Sequence, residues 1–269
     1  MLINCPTGFS FKARPWNLGD RCEMLDDTIL SQGLLQQTMA DFACLEVVNP
    51  GPYQFTVGEK ADWSKVSYAD LTTANIQIRA YTKPTYDFDT RCERCKKIMP
   101  LSLDLREFVV YPPSTEGLEC LATGTPVEKL VQNHKLKIKI LRGGDSPLLA
   151  KHQKADPKRL AVIYNCMHIA SILPAGETKE LTTFSAIKDF WIKQSWEFGD
   201  EVDDIIEGLT GGADTEYEFR CKEISCGADN TGVLPLDLLF FGLDQRKKKG
   251  RQPNRSSELL SIGSLMSKT

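Results

Sequence analysis

The period at which hydrophobic residues recur changes several times along this chain, and each change predicts an element. After a short extended opening, Asn17-Leu-Gly-Asp20 offers a cap before Cys22, Met24, Leu25, Ile29 and Leu30, which recur at helical spacing until Gly33. Leu34, Leu35, Met39, Phe42 and Leu45 predict a second helix, closed by Asn49-Pro-Gly-Pro52. Residues 63–81 carry two periods: Leu71, Ala74, Ile78 and Tyr81 fit a helix, whereas Asn75 to Tyr81 alternates like a strand, and the helix is preferred. Tyr86-Asp-Phe88 and Ile98-Met-Pro-Leu-Ser-Leu-Asp-Leu105 alternate as strands do. Pro112 to Gly117 reads as a turn. Residues 118–141 then read as a β element, made of Leu118 to Ala122 and of Lys135 to Leu141 with its lysines outward. Arg142 to Pro147 reads as a loop.

Helical spacing returns with Leu160, Ile163, Tyr164, Met167 and Ile172, started by Asp156-Pro157 and carried to Pro174. Phe184, Ile187, Phe190, Trp191 and Ser195 predict another helix. A third starts at Gly199-Asp200, carries Val202, Ile205, Ile206 and Leu209, and stops at Gly211-Gly212. The expected fold class is α+β, with a discontinuous zinc ribbon, an inserted helical section and a small β element. The boundaries are residues 1–84 for an N-terminal helical region, 85–110 and 213–242 for the two halves of the ribbon, 111–148 for the β insert, 149–212 for the helical section and 243–269 for a flexible basic tail.

The ribbon rests on cysteine spacing. Four of the nine cysteines form two tight pairs, Cys92-Glu-Arg-Cys95 and Cys221-Lys-Glu-Ile-Ser-Cys226, and both gaps suit a structural zinc knuckle. Each pair follows an alternating aromatic segment, Tyr86 to Phe88 in one case and Tyr217 to Phe219 in the other. Two strands that each run into a thiol-bearing turn supply the four soft ligands tetrahedral Zn2+ requires. The expected site is one zinc ion on Cys92, Cys95, Cys221 and Cys226. The alternatives are two unrelated half-buried pairs or redox dithiols, but a redox pair ordinarily opens a helix rather than following a strand. The remaining cysteines read as buried or free thiols.

Composition narrows the function classes. The chain has 269 residues, 41% of them hydrophobic, and a formal net charge of -3, which excludes a wholly disordered chain and offers no global basic field for nucleic acid. No run is long enough to span a bilayer, and the opening residues lack the order of a signal peptide, so secretory export is not expected. No phosphate loop, nucleophile elbow, HExxH or GxGxxG appears. His168 reads as a satisfied core histidine, His134 and His152 as exposed. Asp200, Glu201, Asp203, Asp204 and Glu207 read as the solvated face of a helix. Trp191, Phe190, Trp196 and Phe198 form the densest aromatic cluster and read as core, with a partner-docking anchor as the other reading. No constellation reads as catalytic, so the chain is expected not to be an enzyme. Gln245 to Arg255 is basic and core-less, and the Ser-rich end carries scattered apolar residues able to dock on a partner.

The order of these features carries a family resemblance. Phe11 to Asp20 is followed by Leu71, then Ile78-Arg79-Ala-Tyr-Thr82, Tyr86-Asp-Phe88 and Cys92-x-x-Cys95, and after an insert by Phe219, Cys221, Cys226, Leu234-Pro-Leu and Phe240-Phe241. Over residues 10–242 this resembles the zinc-ribbon-containing proteins of the T4-type baseplate hub family of contractile-tailed bacteriophages. The resemblance implies a non-enzymatic structural role in the baseplate or tail. It implies other baseplate and tail proteins as partners, assembly in the host cytoplasm and residence in the virion. The alternative is a nucleic-acid-binding zinc-ribbon protein whose basic tail tracks phosphates. Glu93, Glu223 and Asp229 beside the knuckles argue against it.

Overall fold

The computed structural model describes residues 1–23, 27–156, 159–236 and 240–241. The basic tail, Met24, Leu25, Pro157 and the side chain of Cys22 lie outside the described residues. The fold mixes helices and strands, as an α+β protein does.

Strands β1 (Leu2–Asn4) and β2 (Ser10–Ala13) open the chain, followed by α1 (Leu18–Glu23), α2 (Asp27–Ser31), α3 (Leu35–Ala43) and β3 (Cys44–Asn49). The three strands form an antiparallel sheet in the order β1-β2-β3. The predicted second helix therefore stops at Ala43. Cys44 to Asn49 pairs with β2 instead, where Val47 is buried and Leu45 faces solvent. Helix α4 (Tyr68–Thr82) is capped by Ser67, whose side chain accepts from the Asp70 N–H. It packs against α3 and β1. Leu71, Ala74 and Ile78 face Phe9, Phe11 and Val47, while Ile76 faces a second core with Tyr86 and Phe240. A helix buried on two sides has no polar stripe to set its period, which explains the double pattern in residues 63–81.

β4 (Thr85–Arg91) and β5 (Ile98–Asp104) form a hairpin, and β6 (Val110–Tyr111) follows. Leu118 to Ala122 is helical, not extended. It lies in α5 (Thr115–Thr123), with Ser114 accepting from the Gly117 N–H and Gly124 closing the helix in the left-handed region. Gly117, Cys120 and Leu121 are buried at helical spacing. A Cβ on Gly117 would meet the Leu209 carbonyl oxygen at 1.9 Å, so only glycine permits this crossing.

β7 (Val127–Val131) and β8 (His134–Ile138) form the next hairpin. The segment read as a loop, Arg142 to Pro147, makes a 3-10 turn at Gly143–Asp145 and starts α6 (Ser146–Ala155). α7 (Leu160–His168) ends earlier than its apolar run. Ile169–Leu173 is β9, antiparallel to β8, because its alternate residues Ile169 and Ile172 complete the sheet core. α8 (Phe184–Trp191) and α9 (Trp196–Thr210) cover that sheet, α9 starting at a Ser195 cap three residues before the expected Gly199. Five helices thus separate the two cysteine pairs among the described residues, where three were expected.

β10 (Gly212–Ala213) pairs with β6, and β11 (Glu216–Arg220) with β12 (Asp229–Val233) in a second cysteine-bearing hairpin. Leu234, Leu236, Phe240 and Phe241 pack on Tyr86, Phe88, Leu35 and Met39, and Arg79 Nε donates to the Phe240 carbonyl at 2.8 Å. These contacts seat the base of both hairpins on the N-terminal part. No described helix is long and apolar enough to cross a membrane.

Candidate metal centre

Each hairpin delivers its thiols in the same way. The β4–β5 ladder ends at Arg91 opposite Ile98, and the β11–β12 ladder at Arg220 opposite Asp229, one residue before Cys92 and Cys221 respectively. In the first turn the Cys92 N–H donates to Lys97 O and the Lys96 N–H to Cys92 O. In the second the Cys221 N–H donates to Ala228 O, and the N–H groups of Cys226 and Gly227 both donate to Glu223 O. The residue after the last cysteine is left-handed in both turns, with φ +60° at Lys96 and +55° at Gly227. One knuckle uses glycine at this strained position and the other tolerates a lysine.

The two turns meet tip to tip. Cys92 Sγ lies 3.8 Å from Cys226 Sγ and Cys95 Sγ lies 3.6 Å from Cys221 Sγ. All four sulfurs fall within 4.8 Å of one another. A tetrahedron with metal–sulfur arms of roughly 2.3 Å has edges of about 3.8 Å, so the spacing fits a single tetrahedral ion. All four predicted ligands are therefore brought together, and they could hold a metal ion.

Supporting groups surround the quartet. Asn230, nearly fully buried, accepts from the Glu93 N–H at 2.9 Å and donates to Ala228 O at 2.8 Å, tying one turn to the other. Lys97 Nζ pairs with Glu223 at 2.6 Å across the same junction. Behind the sulfurs, Met99 and Phe219 join Cys92 and Cys221 in a small core. Tyr217 packs edge-on to Phe88 with ring centroids 5.5 Å apart, and its hydroxyl lies 3.3 Å from Thr90 Oγ1. The sequence marks Asn230 only as a turn former. Its signal would have been an amide between two knuckles that need a donor and an acceptor at once. The opposite charges at Lys97 and Glu223 would have suggested their pairing.

The electrostatics call for a cation. Backbone N–H groups of Cys95 and then Arg94 point at Cys92 and hold its thiol down to about 6. Against the lowering effect of the Glu223 N–H, Cys221 is pushed up by desolvation and by the thiols of Cys95, Cys92 and Cys226. Four adjacent sulfurs cannot all ionise without a positive charge between them, and a metal ion removes that conflict.

Elsewhere the candidates sort differently. Cys5, Cys44, Cys120 and Cys166 are buried free thiols. His168 is buried with Nδ1 at 2.9 Å from Lys139 O, but its Nε2 has no partner among the described residues, so it is only half satisfied. Contrary to expectation His134 and His152 are half-buried: His134 lies edge-on to Phe190 and Phe198, and His152 stacks on Phe184 at 3.7 Å. Asp200, Glu201 and Asp204 face solvent as expected. Asp203 does not: it accepts from Asn165, and burial pushes its carboxyl up to about 6. Trp191 and Phe198 are core and Phe190 packs beside them, whereas Trp196 is 67% exposed.

No family model, curated protein or solved structure matches the chain.

Proposed function

We propose that Cys92, Cys95, Cys221 and Cys226 hold one architectural Zn2+ that closes a discontinuous zinc ribbon, and that the protein is a structural component of a phage baseplate or tail. The observation that carries the metal reading is the mutual approach of four thiols from two hairpins 126 residues apart in the chain. Four sulfur ligands fill a tetrahedral shell, leaving no position at which zinc would activate water. This favours a scaffold over an enzyme. Zinc is preferred to harder ions because every donor is a soft thiolate. The baseplate assignment rests on the order of features from Phe11 to Phe241 set out above. It places the partners among other baseplate and tail proteins, and assembly in the host cytoplasm, whose reducing conditions keep thiols available. Exposed Ile98 and Ile224 at the knuckles and Trp196 on α9 suit docking of neighbours.

Two measurements test the reading. Metal analysis of purified protein should give one zinc per chain, lost in Cys92→Ser and in Cys221→Ser; full retention in either variant removes that cysteine from the site. Affinity capture from infected cells and from virions should bring down tail proteins. Recovery of nucleic acid alone would transfer the assignment to a nucleic-acid-binding ribbon.

A further inference from the structure

Two clefts lie side by side next to α6, away from the cysteines. One, of about 600 Å³, runs between α4, α7 and the end of α9, and the other, of about 370 Å³, between α2, α3 and α6. Both volumes are within the range of small-molecule sites. Gln36, Tyr68, Gln153 and Leu236 line both clefts, which places Gln153 on their shared wall.

Gln153 is 7% exposed, and its side chain makes no hydrogen bond among the described residues. Its Oε1 and Nε2 nevertheless stay open to a water-sized molecule, unlike Gln36 Oε1 and His168 Nε2, which are sealed inside the protein. A side chain more than nine-tenths buried has no outer face, so the open amide edge is the one turned to the clefts it lines. Its neighbours cannot satisfy it. The Ser146 and Tyr68 hydroxyls bond to each other, and Ser146 Oγ also accepts from Gln37 Nε2 at 3.0 Å. An unpaired buried amide costs stability, and a ligand that pairs it recovers that cost.

The lining decides what the ligand carries. Asp27, Lys154, Glu207, Asp214 and Glu216 line the clefts but are all exposed, and among the described residues no buried lining residue is a lysine, arginine, aspartate or glutamate. A charged group at Gln153 would lose its hydration with no opposite charge to replace it, so the fitting group is neutral. Glutamine offers a donor and an acceptor side by side. A ketone or ester would pair Nε2 and leave Oε1 bare, and a carboxylate is charged and has no donor. A carboxamide carries C=O and N–H on one edge, so two carboxamides close a ring of two N–H···O bonds. Beside Gln153, buried Leu35, Leu149 and Leu236 wall the smaller cleft with apolar surface.

We propose that these clefts bind a small apolar carboxamide. Its carbonyl accepts from Gln153 Nε2, its N–H donates to Gln153 Oε1, and its apolar body lies against Leu35, Leu149 and Leu236.

The test is calorimetric titration of the purified full-length chain with 4-phenylbutanamide, with methyl 4-phenylbutanoate and with 4-phenylbutanoate. One saturable site for the amide is expected, with the ester and the carboxylate each at least about tenfold weaker. Gln153→Leu should weaken the amide about tenfold and abolish its advantage over the ester. In the wild-type chain the side-chain N–H resonances of Gln153 should move as the amide is added, a readout that holds even if the variant fails to fold. Absence of saturable amide binding, equal binding of the ester, wild-type amide affinity in Gln153→Leu, or motionless Gln153 side-chain resonances would overturn the proposal.

Discussion

If the four-cysteine quartet holds zinc as proposed, chelation should lower the melting temperature by roughly 10–20 °C, and the size follows from the geometry. The quartet joins hairpins whose cysteines are 126 residues apart. If the ion stays with the unfolded chain it acts as a cross-link, and closing a loop of that length is worth about 5 kcal/mol. If it leaves on unfolding, the stabilisation is set by mass action, and free zinc at a thousand times its dissociation constant gives about 4 kcal/mol. The two routes agree, and at roughly 2–4 °C per kcal/mol for a domain of this size they give the stated shift. Melting is followed by circular dichroism in zinc buffers and in chelator, with a phosphine reductant present throughout. The reductant matters because Cys95 and Cys221 sulfurs only 3.6 Å apart would otherwise oxidise to a disulfide and mimic the clamp. A melting temperature that rises with the logarithm of free zinc identifies the mass-action route, and a flat response the cross-link. Coincident melts with and without chelator would refute the clamp, because the hairpins would then be held by their other contacts alone.

Four further outcomes are expected. Asp70 is buried among hydrogen bonds from Thr7 and Tyr53, and desolvation pushes it up to about 6 against an ordinary value of 3.8. An acid raised by folding favours the fold when protonated, so stability should grow by roughly 3 kcal/mol as pH falls from about 7 to 4, and be lost as pH rises through about 6. Urea titrations at pH 7.5 and 5.5 should show stability shifting about 0.8 kcal/mol more in favour of the wild type than of Asp70→Asn over that interval, the share that a carboxyl titrating near 6 delivers there; an equal pH dependence in the two proteins would disprove the assignment. Lys96→Gly should stabilise the zinc-bound protein by about 1 kcal/mol, because lysine at φ +60° is strained, and a destabilised variant would show that the lysine side chain contributes more than its backbone costs. Asn230→Ala removes the hydrogen bond that the Glu93 N–H donates across the two knuckles, which should cost about 1 kcal/mol in chemical denaturation and accelerate zinc transfer to a chelator. Gly117→Ala drives a methyl into the Leu209 backbone and should destabilise by about 3 kcal/mol or more, so a variant with wild-type stability would contradict the close crossing of α5 and α9.

What the chain determined by itself was local. Spacing within each cysteine pair, with alternating aromatics before it, sufficed to name Cys92, Cys95, Cys221 and Cys226, because a knuckle is a turn whose geometry is set by its own residues. Helices α8 and α9 were legible for the same reason, each having one apolar face and one wet face. Tertiary structure decided the rest. Leu45 and the Ile169–Leu173 run left their predicted helices because strands β2 and β8 offered unpaired backbone, and Leu118 joined a helix because Ser114 caps it and Gly117 crosses Leu209. The ties of Asn230 and Lys97 exist only once two turns meet. The partnerless Nε2 of His168 is likewise a product of packing between α7 and segments distant in sequence, and no local pattern marks it. A period reports which side of a segment avoids water, whereas pairing, crossing and enclosure depend on segments distant in sequence.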